Sequence, residues 1–167
     1  LSLPGAQTEM LKALKATGKP VVLVVMAGRP LTISQEVDLA DATLFMFHPG
    51  TMGGPALAKL LAGEAVPSGK LPMSFPRMAG QEPMYYNHNN SGRPASNIVL
   101  MDDIELEAGQ TSTGCTGYYL DAGDGPAFPF GYGLSYTTFA YGDVRLSSAT
   151  MDKTGEIEVA CTISNTG

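Results

Sequence analysis

The strongest constraint on the fold is the run VVLVVMA at residues 21–27, which is apolar throughout and rich in β-branched residues. A strand that is apolar on both faces is typical of a parallel sheet with helices on each side. Residues 43–47, TLFMF, form a second such run. Between the two, residues 34–39 have the length of a short helix, with Ser34 as its predicted N-cap. The sequence therefore predicts a strand–helix–strand unit in an α/β fold.

Helical periodicity is present on both sides of this unit. Apolar residues recur at helical spacing in residues 6–17, and Gly18 stands where a C-cap belongs. Residues 53–62 carry leucines on one face, and Gly63 ends the pattern. Residues 71–75 predict a short third strand that ends at a proline. Because sheets usually have about five or six strands, three strands predict an incomplete sheet.

The second half of the chain has a different composition. Residues 77–126 are rich in Gly, Asn, Ser, Thr and Pro, and a loop of this length is usually functional or packs over another surface. Within it, residues 98–107 predict an exposed, acidic strand. Residues 138–146 and 156–164 alternate, as the first two strands of an antiparallel sandwich would. Because an immunoglobulin-like sandwich needs about seven strands, only its beginning is predicted.

Charge and hydrophobicity exclude several classes of partner. The formal net charge is −6 and the lysines and arginines are scattered, so we expect neither nucleic acid nor a membrane surface as partner. No apolar run approaches the roughly 20 residues of a membrane span, and no signal peptide is recognisable. Cys115 and Cys161 lack metal-site spacing, and we expect no disulfide between them, since two cysteines make no framework. We predict neither a metal nor a cofactor.

The segment HPGTMGG, residues 48–54, has two interpretations. Glycines between a strand and a helix can leave amide groups free to bind an anion. They also permit close helix-to-strand packing at a tight crossover. We prefer the crossover, because the G-x-x-x-x-G-K-[ST] spacing of a phosphate loop is absent.

Serine-based catalysis has little support in the sequence. There is no G-x-S-x-G elbow, and Ser68 and Ser74 lie in P-S-G and M-S-F contexts. A triad with His48 or His88 stays open, because triads are defined by geometry rather than by order along the chain. We expect His88, in YYNHNN, on a polar loop surface.

Carboxylates are the other catalytic candidates, since a pair of carboxyl groups can serve as general acid and general base. The candidates are Glu82, Asp102, Asp103, Glu105 and Glu107. An acidic cluster on a loop is usually a solvated surface, and we expect that here. Residues 121–125, DAGDG, lack the ligand order and distal Glu of a calcium loop and predict a turn.

Aromatic side chains concentrate in the loops. They are Tyr85, Tyr86, Tyr118, Tyr119, Phe128, Phe130, Tyr132 and Tyr136. Loop aromatics can stack on sugar rings, or they can anchor long loops to a core by burying about 150–250 Å² each. We expect the anchoring role, and we expect FPFGYGLSYTTF, residues 128–139, to link two domains.

Several segments, in this order, resemble family 3 glycoside hydrolases of the bacterial β-glucosidase type. They are LSLPGAQ, GKPVVLVVMAGRPL, ADATLFMFHPGTMGGPALAKLLAGEAVPSGKLPMSFPR, GQEPMYYNHNNSGRP, FPFGYGLSYTTF and the final NTG. The resemblance implies that residues 1–127 are the family's α/β domain, a partial α/β sandwich with a mostly parallel sheet and flanking helices. Residues 128–167 would be a linker and two antiparallel strands of an incomplete fibronectin type III-like β-sandwich.

The resemblance also implies where the catalytic groups lie. In that family the nucleophilic aspartate belongs to an N-terminal barrel, and the acid/base glutamate lies shortly before a segment like LSLPGAQ. Both would therefore lie outside this chain, and no catalytic or sugar-binding residue within it can be named. The intact parent would be a periplasmic or secreted β-glucosidase, and the chain alone would be inactive. Residues 45–47, residues 95–117 and Tyr118 depart from the family pattern.

Two alternatives remain open. The chain could be a small ester hydrolase that uses a serine and a histidine. It could also be a self-associating structural module, because a severed sheet leaves apolar faces and unpaired strand edges. The expected partners are a β-glucoside or oligosaccharide for the intact parent, and a second copy or a missing barrel domain for this chain.

Overall fold

The computed structural model describes residues 1–89, 92–109 and 117–167. The chain forms two compact units. Leu1–Leu57 and Lys70–Tyr132 make the first unit, and Ala58–Gly69 and Gly133–Gly167 make the second.

The first unit contains the predicted strand–helix–strand arrangement, so the α/β class is confirmed. Strands β1 (Val22–Val25) and β2 (Ala42–Phe45) pair in parallel, with Val22 opposite Ala42 and Val25 opposite Phe45. The α-helices of the described residues are α1 (Gln7–Lys15), α2 (Ser34–Leu39) and α3 (Gly53–Leu61), of which α1, α2 and the first part of α3 belong to this unit. Both strands are short, and β2 ends before Phe47, whose positive φ of 50° interrupts the extended backbone.

The prediction that Ser34 caps α2 is wrong. Ile33 occupies the N-cap position without a side-chain cap hydrogen bond, and Ser34 is the first helical residue. The Ser34 hydroxyl is buried and has no hydrogen-bond partner. Because Ile33 is buried in the core, tertiary packing rather than capping sets the start of this helix.

The predicted third strand, residues 71–75, is also wrong. Phe75 alone makes an isolated antiparallel bridge, which pairs it with Phe128. Pro72 and Pro76 have no amide hydrogen, so a continuous ladder cannot form through this segment. In the described part of the chain, the sheet of the first unit therefore consists of β1 and β2.

The core of the first unit lies between β1, the loop after it and α2. Val25, Leu31 and Ile33 are its buried centre. The partly buried side chains that pack against this centre are Leu3, Leu23, Ala27, Val37 and Phe45. The N-terminal residues join it through a backbone hydrogen bond from the Thr32 amide to the Leu1 carbonyl, at 3.1 Å.

A series of ring contacts attaches later loops to the sheet. The Phe45 ring lies 4.7 Å from that of Phe47 and 4.9 Å from that of Phe75, measured between centroids. Phe75 meets Phe128 edge-on at 6.5 Å, and Phe128 lies 5.2 Å from Tyr132. Such aromatic pairs contribute about 0.5–1.5 kcal/mol beyond the area that they bury. Phe128 and Tyr132 therefore have the predicted anchoring role.

Gln81 fixes the loop that follows Pro76. Its side chain is buried, with 2% of its surface exposed. Its Oε1 accepts hydrogen bonds from the backbone amides of Arg77 at 2.6 Å and Met78 at 3.3 Å, and its Nε2 donates to the Gly125 carbonyl at 3.1 Å. One buried amide thus joins two segments that are 44 residues apart.

The predicted strand at residues 98–107 is wrong, because this segment instead contains a 3-10 helix at Met101–Asp103. The Met101 amide donates to the Leu120 carbonyl at 2.8 Å, and the Tyr118 hydroxyl donates to the Val99 carbonyl at 3.3 Å. The acidic side chains in this segment are all exposed, as expected for a solvated surface.

The second unit contains four short strands where two were predicted. Strands β3 (Phe139–Tyr141) and β6 (Ile163–Asn165) pair antiparallel, as do β4 (Arg145–Leu146) and β5 (Val159–Ala160). Pairing continues across the break, because the Gly142 amide donates to the Thr162 carbonyl at 2.8 Å. The two predicted segments therefore do pair with each other, but each is interrupted.

Among the described residues, none of the helices combines the length and the apolar character that crossing a membrane requires. Cys161 is exposed. Cys115 lies outside the described residues, so the absence of a disulfide between the two cysteines stays a prediction.

Asp41 holds α1 against the start of β1. Its carboxylate accepts hydrogen bonds from Lys15 Nζ at 2.7 Å and from the Val21 amide at 2.8 Å. The hydrogen bond from Lys15, followed by that from Val21, lowers the pKa of Asp41 below its ordinary value of 3.8. A carboxylate with a lowered pKa in the folded state stabilises the protein above its unfolded pKa, and this contribution is lost as the pH falls through the folded pKa.

We therefore expect Asp41→Asn to lower the urea midpoint of unfolding at neutral pH and to approach the parent chain as the pH falls toward about 2. Circular dichroism during urea titration measures both. Asp38→Asn is the matched control, since in the described structure its carboxylate makes no hydrogen bond or ion pair. If Asp41→Asn lowered the urea midpoint by the same amount at neutral pH and near pH 2, the stabilising role of the ionised Asp41 carboxylate would be contradicted.

Removing the Gln81 side chain should destabilise the first unit. Gln81→Ala removes the side chain that makes part-buried hydrogen bonds to the backbone of Arg77 and Gly125, and we expect a loss of about 1–3 kcal/mol in the free energy of unfolding. Gln35→Ala, at an exposed position of α2, should change it by no more than about 0.5 kcal/mol. Equal effects of the two substitutions in denaturant unfolding would show that the Gln81 amide does not tie the loops together.

Candidate functional site

The carboxyl ends of β1 and β2 lie side by side, because the two strands are parallel and in register. In open α/β sheets, ligands bind in the crevice outside these ends. The loops that follow the strands, residues 26–30 and 46–50, are therefore the candidate site, and we call them the strand-end loops.

The two strand-end loops meet at Gly28 and His48. A Cβ atom built on Gly28 would fall 2.2 Å from His48 Nε2, so the imidazole lies directly against the glycine. His48 and Arg29 are both exposed. They give this edge of the sheet an imidazole and a guanidinium group that solvent can reach.

Phe47, next to His48, has a φ of 50°, which is unusual for a bulky residue. Conformations of this kind persist where the surroundings hold them, and they concentrate at functional sites. Here the ring of Phe47 packs edge-on against Phe45 at 4.7 Å. The strained backbone is thus held by the same ring contacts that organise the core.

The turn from His48 into α3 is tightly packed. A Cβ on Gly53 would fall 2.6 Å from Pro49 Cβ and 2.8 Å from Pro49 Cγ, whereas a Cβ on Gly54 would meet nothing within 4 Å. The Gly53 amide donates to the Gly50 carbonyl at 3.1 Å. This geometry supports the close-packing interpretation of HPGTMGG.

A cavity of about 570 Å³ runs along β1 to the first strand-end loop. Ser2, Gln7 and Arg29 contribute polar groups to its lining, which is otherwise mostly apolar. The described residues include no group of three or more His, Cys, Asp or Glu side chains placed to hold a metal ion.

The carboxylates do not form a catalytic pair in the described structure. Of the 16 acidic residues, all but Glu36 are exposed, including Glu82 and the four acids of residues 102–107. Glu36 is 5% exposed, and its Oε1 accepts a hydrogen bond from the Thr8 hydroxyl at 2.5 Å, between α1 and α2. The sequence reasoning missed Glu36, although an acid within the apolar pattern of a short helix was a signal for it.

The serine and histidine candidates are not brought together either. Ser74 is buried, and its hydroxyl accepts a hydrogen bond from the Phe130 amide at 3.3 Å, while Ser68 is exposed. His88 lies on the surface, as expected, and lines a second cavity. Within residues 1–89, 92–109 and 117–167, no hydrogen bond joins a serine to a histidine.

Residues 121–125 form the predicted turn. The Gly123 amide donates to the Tyr119 carbonyl at 2.6 Å, and the Tyr119 amide donates to the Gly123 carbonyl at 3.0 Å. Gly123 and Gly125 both have φ near +72°, a conformation that favours glycine.

Comparison with known proteins decides the family. The model of the glycosyl hydrolase family 3 C-terminal domain matches residues 1–136. The chain belongs to glycosyl hydrolase family 3. This membership agrees with the resemblance seen in its segments and with the α/β arrangement of its first unit.

Relatives from this family resemble the chain over its whole length. A periplasmic beta-glucosidase of Salmonella typhimurium is 47% identical over 167 residues, which cover 100% of this chain and 20% of that protein. A beta-xylosidase of Formosa agariphila is 36% identical over 100% of this chain and 20% of its own length. The crystal structure of a beta-glucosidase from Listeria innocua in complex with isofagomine has a TM-score of 0.80 and 39% identity, covering 99% of this chain and 22% of that one. The chain thus spans about a fifth of the length of these relatives.

The packing at α3 predicts opposite effects for two adjacent glycines. Gly53→Ala must displace the rigid Pro49 ring, and we expect it to cost about 1–3 kcal/mol in the free energy of unfolding. Gly54→Ala has space for its methyl group and removes a residue of low helix propensity, so we expect it to stabilise by up to about 1 kcal/mol. Thermal or urea unfolding of the two variants measures the difference. If both stabilise the chain, Pro49 does not limit the packing at this turn.

Proposed function

We propose that this chain contains the α/β domain of a retaining β-glucosidase that removes terminal β-glucosyl residues from short β-linked glucans or aryl glucosides. The single observation that carries this proposal is the family match over residues 1–136. The relatives from Salmonella typhimurium and Listeria innocua are both beta-glucosidases, which favours glucosides over xylosides as substrates.

The chain itself is proposed to have no glycosidase activity. Double displacement needs a nucleophilic carboxylate and a carboxylic acid about 5 Å apart. The acid must keep its proton near neutral pH, which requires surroundings that disfavour the charged form. Exposed carboxylates lack such surroundings, and Glu36, the buried one, is hydrogen-bonded to Thr8 rather than to a second carboxylate. Both catalytic groups would therefore come from protein outside these 167 residues.

The remaining residues are proposed to continue the family's architecture. Residues 128–167 would be the linker and first strands of a fibronectin type III-like domain, after an α/β domain at residues 1–127. The support is the pair of antiparallel ladders β3–β6 and β4–β5, whose large apolar side chains are exposed. A barrel domain is the partner that this function requires. Self-association of the chain is a separate expectation, and light scattering would test it. We propose a periplasmic or secreted location, because the Salmonella typhimurium relative is a periplasmic beta-glucosidase.

We expect the purified chain to release no aglycone from an aryl β-glucoside or an aryl β-xyloside, even at high protein concentration and long incubation. General acid/base assistance alone contributes about 10²–10⁴-fold, so loss of both carboxylates should leave no measurable turnover. Glu36→Gln is the control variant. Turnover that this substitution abolishes would mean that the chain carries its own catalytic acid.

A chimera tests the positive part of the proposal. The corresponding fifth of the Salmonella typhimurium relative is replaced by this chain, and hydrolysis of aryl β-glucoside and β-xyloside is compared with that of the relative. We expect the chimera to hydrolyse the glucoside. A folded chimera that hydrolyses neither substrate would contradict the assignment of this chain to a β-glucosidase.

A further inference from the structure

A second cavity of about 490 Å³ lies in the first unit, among loops to which the proposed function gives no role. Its volume falls within the range of small-molecule sites, about 300–1,000 Å³. Its lining combines three tyrosine rings with one carboxylate, and the side chains that decide its chemistry are Tyr85, His88, Tyr118, Tyr119 and Asp124. We call this cavity the tyrosine pocket.

Hydrogen bonds hold one side of the tyrosine pocket in place. Gln81 is buried and belongs to the lining, and its Nε2 donates to the Gly125 carbonyl at 3.1 Å. This bond fixes the backbone next to Asp124. Tyr119 and Gly123 form an isolated antiparallel bridge, which closes the turn that leads to Asp124. The carboxylate of the pocket is therefore carried by a backbone that is held at both ends.

Two further contacts hold the segments that carry the rings. The Tyr118 hydroxyl accepts a hydrogen bond from the Val99 amide at 3.4 Å and donates one to the Val99 carbonyl at 3.3 Å. Tyr86 stacks on Phe130, with 4.4 Å between ring centroids, and this stack anchors the segment of Tyr85. The pocket is thus framed by contacts that exist without a ligand, and such preorganisation lowers the entropy lost on binding.

The tyrosine faces of the pocket are open to a ligand. Tyr85 is 64% exposed and Tyr119 is 46% exposed, so the anchoring role expected for loop aromatics does not hold for these two. The face of an aromatic ring carries partial negative charge, and it attracts a cation that lies within about 6 Å of the ring centroid. Three such rings at one cavity favour a positively charged ligand.

The charges at the pocket favour the same sign of ligand. The Asp124 side chain is exposed and makes no hydrogen bond or ion pair within the described part of the chain. Among the described residues that line the cavity, none is a lysine or an arginine. The chain as a whole carries a net charge of −6, which attracts cations and repels anions. Asp124 is therefore a counter-charge without a cation of its own in the described structure.

The remaining lining selects among cations. A metal ion such as Ca²⁺ needs about six oxygen ligands, and the described residues include no group of three or more His, Cys, Asp or Glu side chains placed to hold a metal. Pro83 and Met84 add apolar surface to the pocket. A quaternary ammonium group suits such a site, because its charge is spread over methyl groups that pack on rings and apolar side chains. It also has no N–H group that would need an acceptor.

We propose that the tyrosine pocket binds a small quaternary ammonium compound of the choline type. Its trimethylammonium group lies against the rings of Tyr85 and Tyr119, and the Asp124 carboxylate balances its charge. The His88 imidazole can hydrogen-bond to the hydroxyl end of the ligand. Binding forms and breaks no covalent bond and requires no glycosidase activity.

Choline chloride is the probe for this site. Neohexanol, in which a carbon atom replaces the charged nitrogen, is the matched control ligand, because it has nearly the same shape without the charge. NMR titration of the 167-residue chain measures binding and locates it. We expect saturable shifts at Tyr85, His88 and Tyr119 with choline and none with sodium chloride at equal concentration. Neohexanol should bind at least about tenfold more weakly, since it lacks the cation–π attraction.

Variants of the rings separate contact with an aromatic face from hydrogen bonding. Tyr85→Phe and Tyr119→Phe keep the ring and should leave the affinity for choline unchanged. Tyr85→Leu and Tyr119→Leu remove the ring face and should each weaken binding about two- to tenfold. Asp124→Asn should weaken it by up to about fivefold, the effect of losing an exposed ion pair.

Asp121→Asn and Tyr141→Leu are the matched control variants. Asp121 is an exposed acid of the same turn that is not part of the pocket lining, so its substitution changes the net charge by the same amount as Asp124→Asn. Tyr141 is 73% exposed but lies on β3 in the second unit. Both variants should bind choline as the parent chain does. Circular dichroism verifies that each variant keeps the parent fold.

Several results would overturn the proposal. Choline could cause no saturable shift, or neohexanol could bind as tightly as choline, which would identify an apolar pocket rather than a cation site. Equal losses in Tyr85→Phe and Tyr85→Leu would show that the hydroxyl, not the ring face, holds the ligand. Equal losses in Asp121→Asn and Asp124→Asn would show that only the overall charge of the chain attracts choline.

Discussion

The parallel pairing of β1 with β2 is the constraint on which the first unit depends. Parallel neighbours cannot be joined by a tight turn, so the chain must leave the sheet after Val25 and return at Ala42. The return path carries Leu31 and Ile33 into the core and forms α2. The same pairing places the ends of both strands at one edge, where His48 meets the backbone of the preceding loop.

The register of this pair also determines how distant segments attach. Phe45 ends β2 opposite Val25, and its ring begins the contacts that lead through Phe75 to Phe128. Dispersion contacts of this kind are individually weak and become significant as a set. Phe128, more than 80 positions after Phe45, is thereby connected to the two-stranded sheet, although it contributes no strand to that sheet.

Sequence reasoning succeeded where a local pattern and the tertiary environment agree. The apolar run at residues 21–27 correctly predicted a parallel strand, β1, which pairs with β2. The predicted burial on both faces is wrong, because Val25 is buried but Val22 is 45% exposed. The predictions failed where tertiary packing or strand pairing opposed the local sequence pattern. Ser34 has the chemistry of an N-cap, but burial of its neighbour Ile33 moved the start of the helix. Residues 98–107 were predicted as an exposed, acidic strand, but a strand needs a partner strand. In the described structure this segment makes isolated hydrogen bonds, such as that from the Met101 amide to the Leu120 carbonyl.

The candidate sites were harder to predict, because they are made by contacts between positions far apart in sequence. Nothing near Gln81 indicates that its amide reaches Gly125, and nothing in YYNHNN tells which tyrosine stacks and which stays exposed. The two adjacent residues Tyr85 and Tyr86 have opposite roles. Tyr86 has an aromatic neighbour to pack on, and Tyr85 lines a cavity instead.

Ligand binding and glycosidic bond cleavage need side chains with different exposure to solvent. A catalytic acid needs a desolvated carboxyl group, whereas an aromatic binding site needs a ring face that remains open to solvent until the ligand arrives. In this chain the acids are almost all solvated and two tyrosines of one preformed pocket are exposed. The solvated carboxylates of the described residues therefore lack the desolvated surroundings that a catalytic acid needs.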